Sequence, residues 1–282
     1  MSDDLAIRVS GLRKTYKDTV AVAGVDLEVR RGEVFSLLGP NGAGKTTTVE
    51  VLEGYRSRDA GDVSVLGQDP ASADSGWKAR VGIVLQKVND LTELTVAEAV
   101  ASTAAYYPRP REVGEVVELV GLTEKRTARI SSLSGGQRRR LDVALGILGN
   151  PELLFLDEPT TGFDPEARRQ FWAVIEGLAH SGTTILLTTH YLDEAEQLAD
   201  RVGVIVAGRV IAAGPPDTLG GRATAAATVR WAGPDGPRSE QTDTPTKLVV
   251  ALADRFGGEV PELVVERPSL EDVYLRMIGH EA

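Results

Sequence analysis

Two hydrophobic rhythms run along the chain. Ile7 and Val9, then Val25, Leu27 and Val29, alternate with polar residues, and this period of two predicts half-buried, antiparallel strands. Arg31-Gly32 reads as a turn, after which the rhythm changes. Val34-Phe-Ser-Leu-Leu38 is a short, nearly continuous apolar run, as are Val81-Gly-Ile-Val-Leu85, Leu153-Leu-Phe-Leu156 and Thr184-Ile-Leu-Leu-Thr188. Such runs fit strands buried on both faces, and helix-like segments lie between several of them. The pattern predicts an α/β fold: a mostly parallel sheet covered by helices, preceded by an antiparallel β subdomain.

Between about 88 and 150 the texture turns helical. Residues 95–107 are Ala-rich without strand signals and stop at Pro108-Arg-Pro110. Val113, Val116, Val117 and Val120 form an apolar stripe at helical spacing, repeated by Leu141, Ala144, Leu145 and Leu148 before Gly149-Asn-Pro151. This reads as a helical subdomain inserted between two strands of the sheet. Val202-Gly-Val-Ile-Val206 is a further strand, and Gly208-Arg209 suits a hairpin turn into Val210-Ile211. Beyond Gly214-Pro-Pro216 the composition loosens, and Gly233-Pro-Asp-Gly-Pro237 is turn material. A helix is expected over 246–256, a strand over 262–265 and an amphipathic helix over 269–278. We read 1–220 as the main domain and 221–282 as a small α+β accessory domain.

Composition narrows the function classes. The 282 residues carry 31 Lys+Arg against 41 Asp+Glu, a net charge of −10, which repels nucleic-acid phosphates and predicts no nucleic-acid partner. The chain has no Cys, which excludes disulfides, iron–sulfur clusters and thiolate chemistry. Its three histidines, His180, His190 and His280, stand far apart and do not suggest a zinc site. The N-terminus lacks the basic and apolar regions of a signal peptide. Apolar stretches such as 202–208 fall far short of the ~20 residues that span a bilayer. A soluble chain is expected, with any membrane role borrowed from a partner.

Gly39-Pro40-Asn41-Gly42-Ala43-Gly44-Lys45-Thr46 matches G-x-x-x-x-G-K-[ST] between an expected strand and an expected helix, the context that a phosphate-binding P-loop requires. Glycines let backbone N–H groups curl around phosphate oxygens, and the helix N-terminus adds a favourable dipole. Lys45 would reach the β- and γ-phosphates, the Thr46 hydroxyl would ligate Mg²⁺, and Thr47 continues the loop. Because Thr47 stands where the last glycine of G-x-G-x-x-G would be, the dinucleotide fingerprint fails.

The strand Leu153-Leu-Phe-Leu156 ends in two carboxylates, Asp157 and Glu158. Ligands of parallel α/β sheets bind at the carboxyl ends of strands, so these acids and the loop fall on one edge. Asp157 is the candidate acidic partner of Mg²⁺, and Glu158 the candidate general base for an attacking water. His190 ends the next strand, where it could meet a γ-phosphate oxygen or be structural. Gln86 ends Val81-Gly-Ile-Val-Leu85, where its amide could meet Mg²⁺ or the lytic water or could simply face solvent.

Leu133-Ser134-Gly135-Gly136-Gln137 lies just ahead of the Asp-Glu strand. Taken in order with the P-loop, Gln86, Asp157-Glu158, Thr161-Gly-Phe163-Asp164 and His190, it makes residues 5–220 resemble the nucleotide-binding subunit of an ABC transporter. The resemblance implies that Ser134, Gly135, Gly136 and Gln137 contact ATP held by an opposite subunit in an ATP-dependent homodimer. It implies that Asp164 couples the two sites and that Tyr16 stacks on adenine. Phe163 departs from the Leu usual there. The helical insertion, by the same resemblance, docks on a separate transmembrane permease, with Leu91-Thr-Glu-Leu-Thr95 a candidate contact or an ordinary loop. Such a subunit would sit in the cytoplasm, peripheral on the inner membrane face. Glu53-Gly-Tyr-Arg56, Thr189-His-Tyr-Leu-Asp-Glu-Ala195 and Ser269-Leu-Glu-Asp-Val-Tyr-Leu275 resemble ATPases of the daunorubicin-resistance type of drug exporter.

The leading expectation is therefore a Mg²⁺-dependent ATPase subunit powering export. An ABC-type ATP-dependent switch without transport is the alternative, but such proteins usually carry two cassettes or a long coiled-coil arm. A P-loop GTPase or small-molecule kinase would leave residues 133–137 without a role, and no Asn-Lys-x-Asp motif is present.

Overall fold

In the computed structural model, which describes residues 4–84 and 92–279, the period-two segments form β1 (Leu5–Tyr16) and β2 (Thr19–Arg30), paired antiparallel. β3 (Val34–Leu38) has every residue buried, as a central parallel strand requires, and leads through the glycine-rich loop into α1 (Lys45–Leu52). β4 (Ala60–Val65) then returns to the far side of β1, giving an antiparallel sheet in the order β2-β1-β4. The short helix α2 (Ser75–Lys78), capped by the Asp74 carboxylate, precedes β5 (Val81–Val84).

Three helices follow: α3 (Val96–Ala104), α4 (Val113–Leu119) and α5 (Gly135–Ile147). The next strand, β6 (Leu153–Asp157), pairs parallel with β5, so the helices are an insertion between neighbouring strands. α6 (Pro165–His180), β7 (Thr184–Thr189), α7 (Leu192–Leu198), β8 (Arg201–Val206) and β9 (Arg209–Gly214) complete this part. The larger sheet runs β5-β6-β7-β3-β8-β9, with its first five strands parallel. Ala207 and Gly208, both at positive φ, turn β8 into β9.

Alternation along the buried strands feeds two cores. Phe35, Leu37, Leu153, Phe155 and Leu186 point toward α1 and the antiparallel sheet, where they meet Ile7, Leu12, Val49 and Leu52. Leu154, Leu156, Ile185 and Leu187 point the other way, against Phe171 and Ile175 of α6 and against the insertion through Val100, Val116, Leu141 and Ile147. Each large side chain buried this way contributes about 1.5–3 kcal/mol. The double-faced core fixes the sheet, and with it the edge where β3, β6 and β7 end.

Residues 1–213 and 214–282 are two compact units, the second beginning a few residues ahead of 221. The second unit contains β10 (Ala227–Gly233), β11 (Gly236–Thr242), α8 (Pro245–Phe256), β12 (Val264–Glu266) and α9 (Leu270–Gly279), with strand order β11-β10-β12. Val229, Leu252 and Val260 form its small core with Trp231, Leu248 and Phe256.

The structure differs from the sequence pattern in three places. β4 carries Gly61 and Asp62 ahead of Val63 and Val65, so its apolar alternation is only two buried positions long. The segment 233–237 expected as turn is the tip of a hairpin, with Gly233 ending β10 and Gly236 and Pro237 starting β11, five of whose seven residues are exposed. β12 is shifted toward the C-terminus, starting after Glu262, which sits at positive φ.

Candidate functional site

The loop between β3 and α1 is pressed against the sheet. A Cβ on Gly39 would lie 2.3 Å from the Ile205 carbonyl oxygen, and Gly44, at φ 102°, would put one 2.4 Å from the Ala21 oxygen. Neither position admits a side chain. Lys45, almost fully buried, donates from Nζ to the Gly39 oxygen at 2.8 Å and the Pro40 oxygen at 3.2 Å, and pairs with Glu158 Oε1 at 3.2 Å. A cleft of about 440 Å³ opens over the loop, lined by Tyr16, Asn41, Gly42, Lys45, Thr46 and Glu158 among others. Tyr16, at the end of β1, borders it with Lys14 and Arg56 about its ring, at 5.6 and 5.2 Å from the centroid.

The carboxylates close the other side. The Thr46 hydroxyl donates to Asp157 Oδ2 at 3.1 Å. Thr188, opposite Asp157 in the β6–β7 register, donates its hydroxyl to Asp157 Oδ1 at 2.5 Å and accepts the Glu158 amide at 3.0 Å. Glu158 takes positive φ, 43°, an uncommon conformation for a residue with a side chain, and that amide contact helps to hold it. Its Oε2 stands 3.4 Å from His190 Nδ1. From below, the buried Arg139 of α5 donates to the Asp157 and Pro159 carbonyl oxygens at 3.0 and 3.1 Å, bracing the turn that carries both acids.

Lys45, Thr46, Asp157, Glu158 and His190 thus meet at one end of the sheet. Gln86 lies outside the described residues. Ser134, Gly135, Gly136 and Gln137 do not line the P-loop cleft. They start α5 as an exposed corner, where the Ser134 hydroxyl accepts the Gln137 amide and the Gln137 side chain accepts the Ser134 amide. Gly136 lies against Ala167, so this corner neighbours the start of α6, where Asp164 accepts the Glu166 and Ala167 amides. Phe163 is accommodated edge-on against Phe171, centroids 5.8 Å apart. Thr95 caps α3.

Beside Asp157, a second groove of about 460 Å³ is lined by Thr46, Glu50, Glu53, Tyr55, Ile83 and Asp157 among others. Burial pushes the Glu53 carboxyl up to about 8, with Asp157 and Glu50 adding like charge. Thr188 and Arg139 carry no sequence motif of their own. A lysine on a helix N-terminus, a hydroxyl beside a carboxylate, a second carboxylate and an imidazole form the set needed to bind a triphosphate and direct water at it.

Residues 22–161 match the family model described as ABC transporter. The daunorubicin/doxorubicin resistance ATP-binding protein DrrA of Streptomyces peucetius is 38% identical over 98% of this chain and 93% of its own length. The Nod factor export ATP-binding protein I of Burkholderia thailandensis is 38% identical over 96% of each. The structure of cbiO1 from Clostridium perfringens, part of the ABC transporter complex cbiONQ, superposes with TM-score 0.69 at 29% identity, over 76% of this chain and 90% of that one. With near-full-length kinship to ATP-binding members and a P-loop facing paired strand-end carboxylates, the chain belongs to the ABC transporter family.

Proposed function

We propose that the chain is the ATP-hydrolysing subunit of an exporter, acting through a separate membrane permease. The observation that carries this is the meeting of Lys45, Thr46, Asp157, Glu158 and His190 at one sheet edge; the names of the near-full-length relatives support the direction of transport. No helix among the described residues is long and apolar enough to cross a membrane, so a permease would supply the path. The chain would then lie on the cytoplasmic side, peripheral on the membrane. The cargo class suggested by the relatives is a drug, antibiotic or lipid-like molecule.

The chemistry follows from what Lys45 and Glu158 hold. Lys45 is tied to two loop carbonyls and to Glu158, and an incoming triphosphate would exchange those contacts for phosphate oxygens. That exchange releases Glu158 to accept a proton from water aimed at the γ-phosphate, with His190 steadying the carboxylate and the phosphate oxygen. Thr46 and Asp157 are hard oxygen donors already in contact, and no group of three or more His, Cys, Asp or Glu among the described residues forms a protein cage. That donor set suits Mg²⁺, which keeps water and phosphate in most of its shell. Bound there, Mg²⁺ supplies charge neutralisation on the β- and γ-phosphates.

Tyr16, which lines the cleft, would stack on adenine. The Ser134 corner, set apart from the chain's own cleft, would cap the triphosphate of a second copy, giving a head-to-tail homodimer with two ATP at the interface. Residues 214–282 would serve assembly or regulation. The direct test is co-purification with a polytopic permease from detergent-solubilised membranes, followed by ATP-driven cargo movement in vesicles containing both. A chain that hydrolyses ATP but pairs with no membrane protein would leave an ATP-dependent switch instead.

A further inference from the structure

Glu194 is a carboxylate the proposed mechanism does not use, yet it is wholly buried beneath the site. It stands on the first turn of α7, four residues after His190. Its Oε1 accepts two hydrogen bonds: from the Thr160 hydroxyl at 2.8 Å, itself wholly buried, and from Trp172 Nε1 of α6 at 3.3 Å. Burial pushes the Glu194 carboxyl above the ordinary carboxylate range, with the neighbouring hydroxyls and Trp172 working the other way, and its Oε2 is buried without a hydrogen-bond partner.

These contacts join three pieces of chain far apart in sequence. Thr160 lies two residues after Glu158 on the turn leaving β6. Thr189 and Glu194 flank His190 on the turn leaving β7. Trp172 belongs to the helix that follows the Glu158 turn. Around them, Arg168 of α6 reaches Asp193 at 3.0 Å and stacks 4.5 Å from the Tyr191 ring. Burying a carboxylate costs free energy that solvent-facing positions avoid, and an apolar residue would fill the same space without that cost. A buried acceptor shared by two turns instead fixes their separation, because each donor would be left unsatisfied if either turn moved.

We propose that Glu194 is a positioning residue: through Thr160 on one side and the α7 turn on the other, it sets the spacing of Glu158 and His190. It is wholly buried and does not line the P-loop cleft. The inference rests on reading Glu158 and His190 as the hydrolytic pair.

The test is steady-state ATP hydrolysis by the full chain, alongside equilibrium binding of a fluorescent ATP analogue and thermal melting. Thr160→Val keeps the shape and removes only the donor. Together with Glu194→Ala it should lower kcat about tenfold or more, with KM and analogue affinity within about twofold, because a hydrolytic pair displaced by a fraction of an ångström loses rate before it loses binding. Glu194→Gln keeps an oxygen acceptor for Thr160 and Trp172 and should recover most of that loss. In a Glu158→Gln background, Thr160→Val should cause little additional loss. The proposal is overturned if Thr160→Val retains wild-type kcat, if kcat and affinity fall in proportion with the melting temperature, or if Glu194→Gln fails as badly as Glu194→Ala. Rapid hydrolysis by Glu158→Gln alone would instead remove the hydrolytic reading and leave the Glu194 contacts as packing.

Discussion

Thr188 donates to Asp157 at 2.5 Å while accepting the backbone amide of Glu158 at 3.0 Å. One hydroxyl on β7 therefore orients the carboxylate proposed for Mg²⁺ and pins the backbone of the proposed base. Thr188→Val preserves shape and β propensity but removes both bonds, worth about 1.5–3 kcal/mol net for the one to the carboxylate and about 0.5–1.5 kcal/mol for the one from the amide. Hydrolysis by the variant should fall about tenfold and should need more Mg²⁺ for half-maximal rate. A Mg²⁺ titration of ATPase activity that overlays the wild type would remove Thr188 from this role.

Much of this site is legible in the chain before folding, because its chemistry is local. The P-loop declares itself through glycines that only a tight turn needs, and Asp157-Glu158 through two acids closing an apolar run. Thr188 and Arg139 are silent because their roles depend on non-local neighbours. Thr188 faces Asp157 only once β6 and β7 pair in their observed register, and Arg139 reaches the Asp157–Pro159 turn only once α5 packs beneath it. The same reason hides β11, which holds by backbone pairing to β10 and leaves five of its seven residues exposed. Periodicity reports burial, and that strand buries little.

Glu158→Gln keeps the size of the side chain and an oxygen for Lys45 but removes the proton acceptor. ATP binding should persist, the ATP-bound dimer should accumulate, and turnover should drop at least about 10²-fold, as expected for loss of a general base. Size-exclusion chromatography with and without MgATP, beside a phosphate-release assay, reads both effects. Near-normal phosphate release would assign the base elsewhere.

Ser134→Arg addresses the shared interface. Ser134 is exposed and stands apart from the chain's own cleft, so a bulky cation there should leave binding of ATP by a single subunit intact. Loss of the capping box costs about 0.5–2 kcal/mol of α5 stability, and a melting curve separates that cost from unfolding. The combined Glu158→Gln, Ser134→Arg chain should bind MgATP and remain monomeric. A stable ATP-bound dimer from that chain would put the interface on another face.

Glu53 sets a pH dependence that no motif announces. Burial, with Asp157 and Glu50 nearby, raises its carboxyl to about 8 in the folded chain, whereas the unfolded chain releases that proton in the ordinary carboxylate range. Between those limits the folded state binds more protons than the unfolded one, so stability falls as pH rises through the window. Glu53→Gln, uncharged at every pH, should remove this slope. Relative to wild type, its melting temperature should stand a few degrees higher at pH ~8 and converge toward pH ~4, where the glutamate is protonated in both states. Calorimetric melts across that range without nucleotide check it, and parallel pH profiles for the two proteins would place the Glu53 carboxyl in a solvated setting.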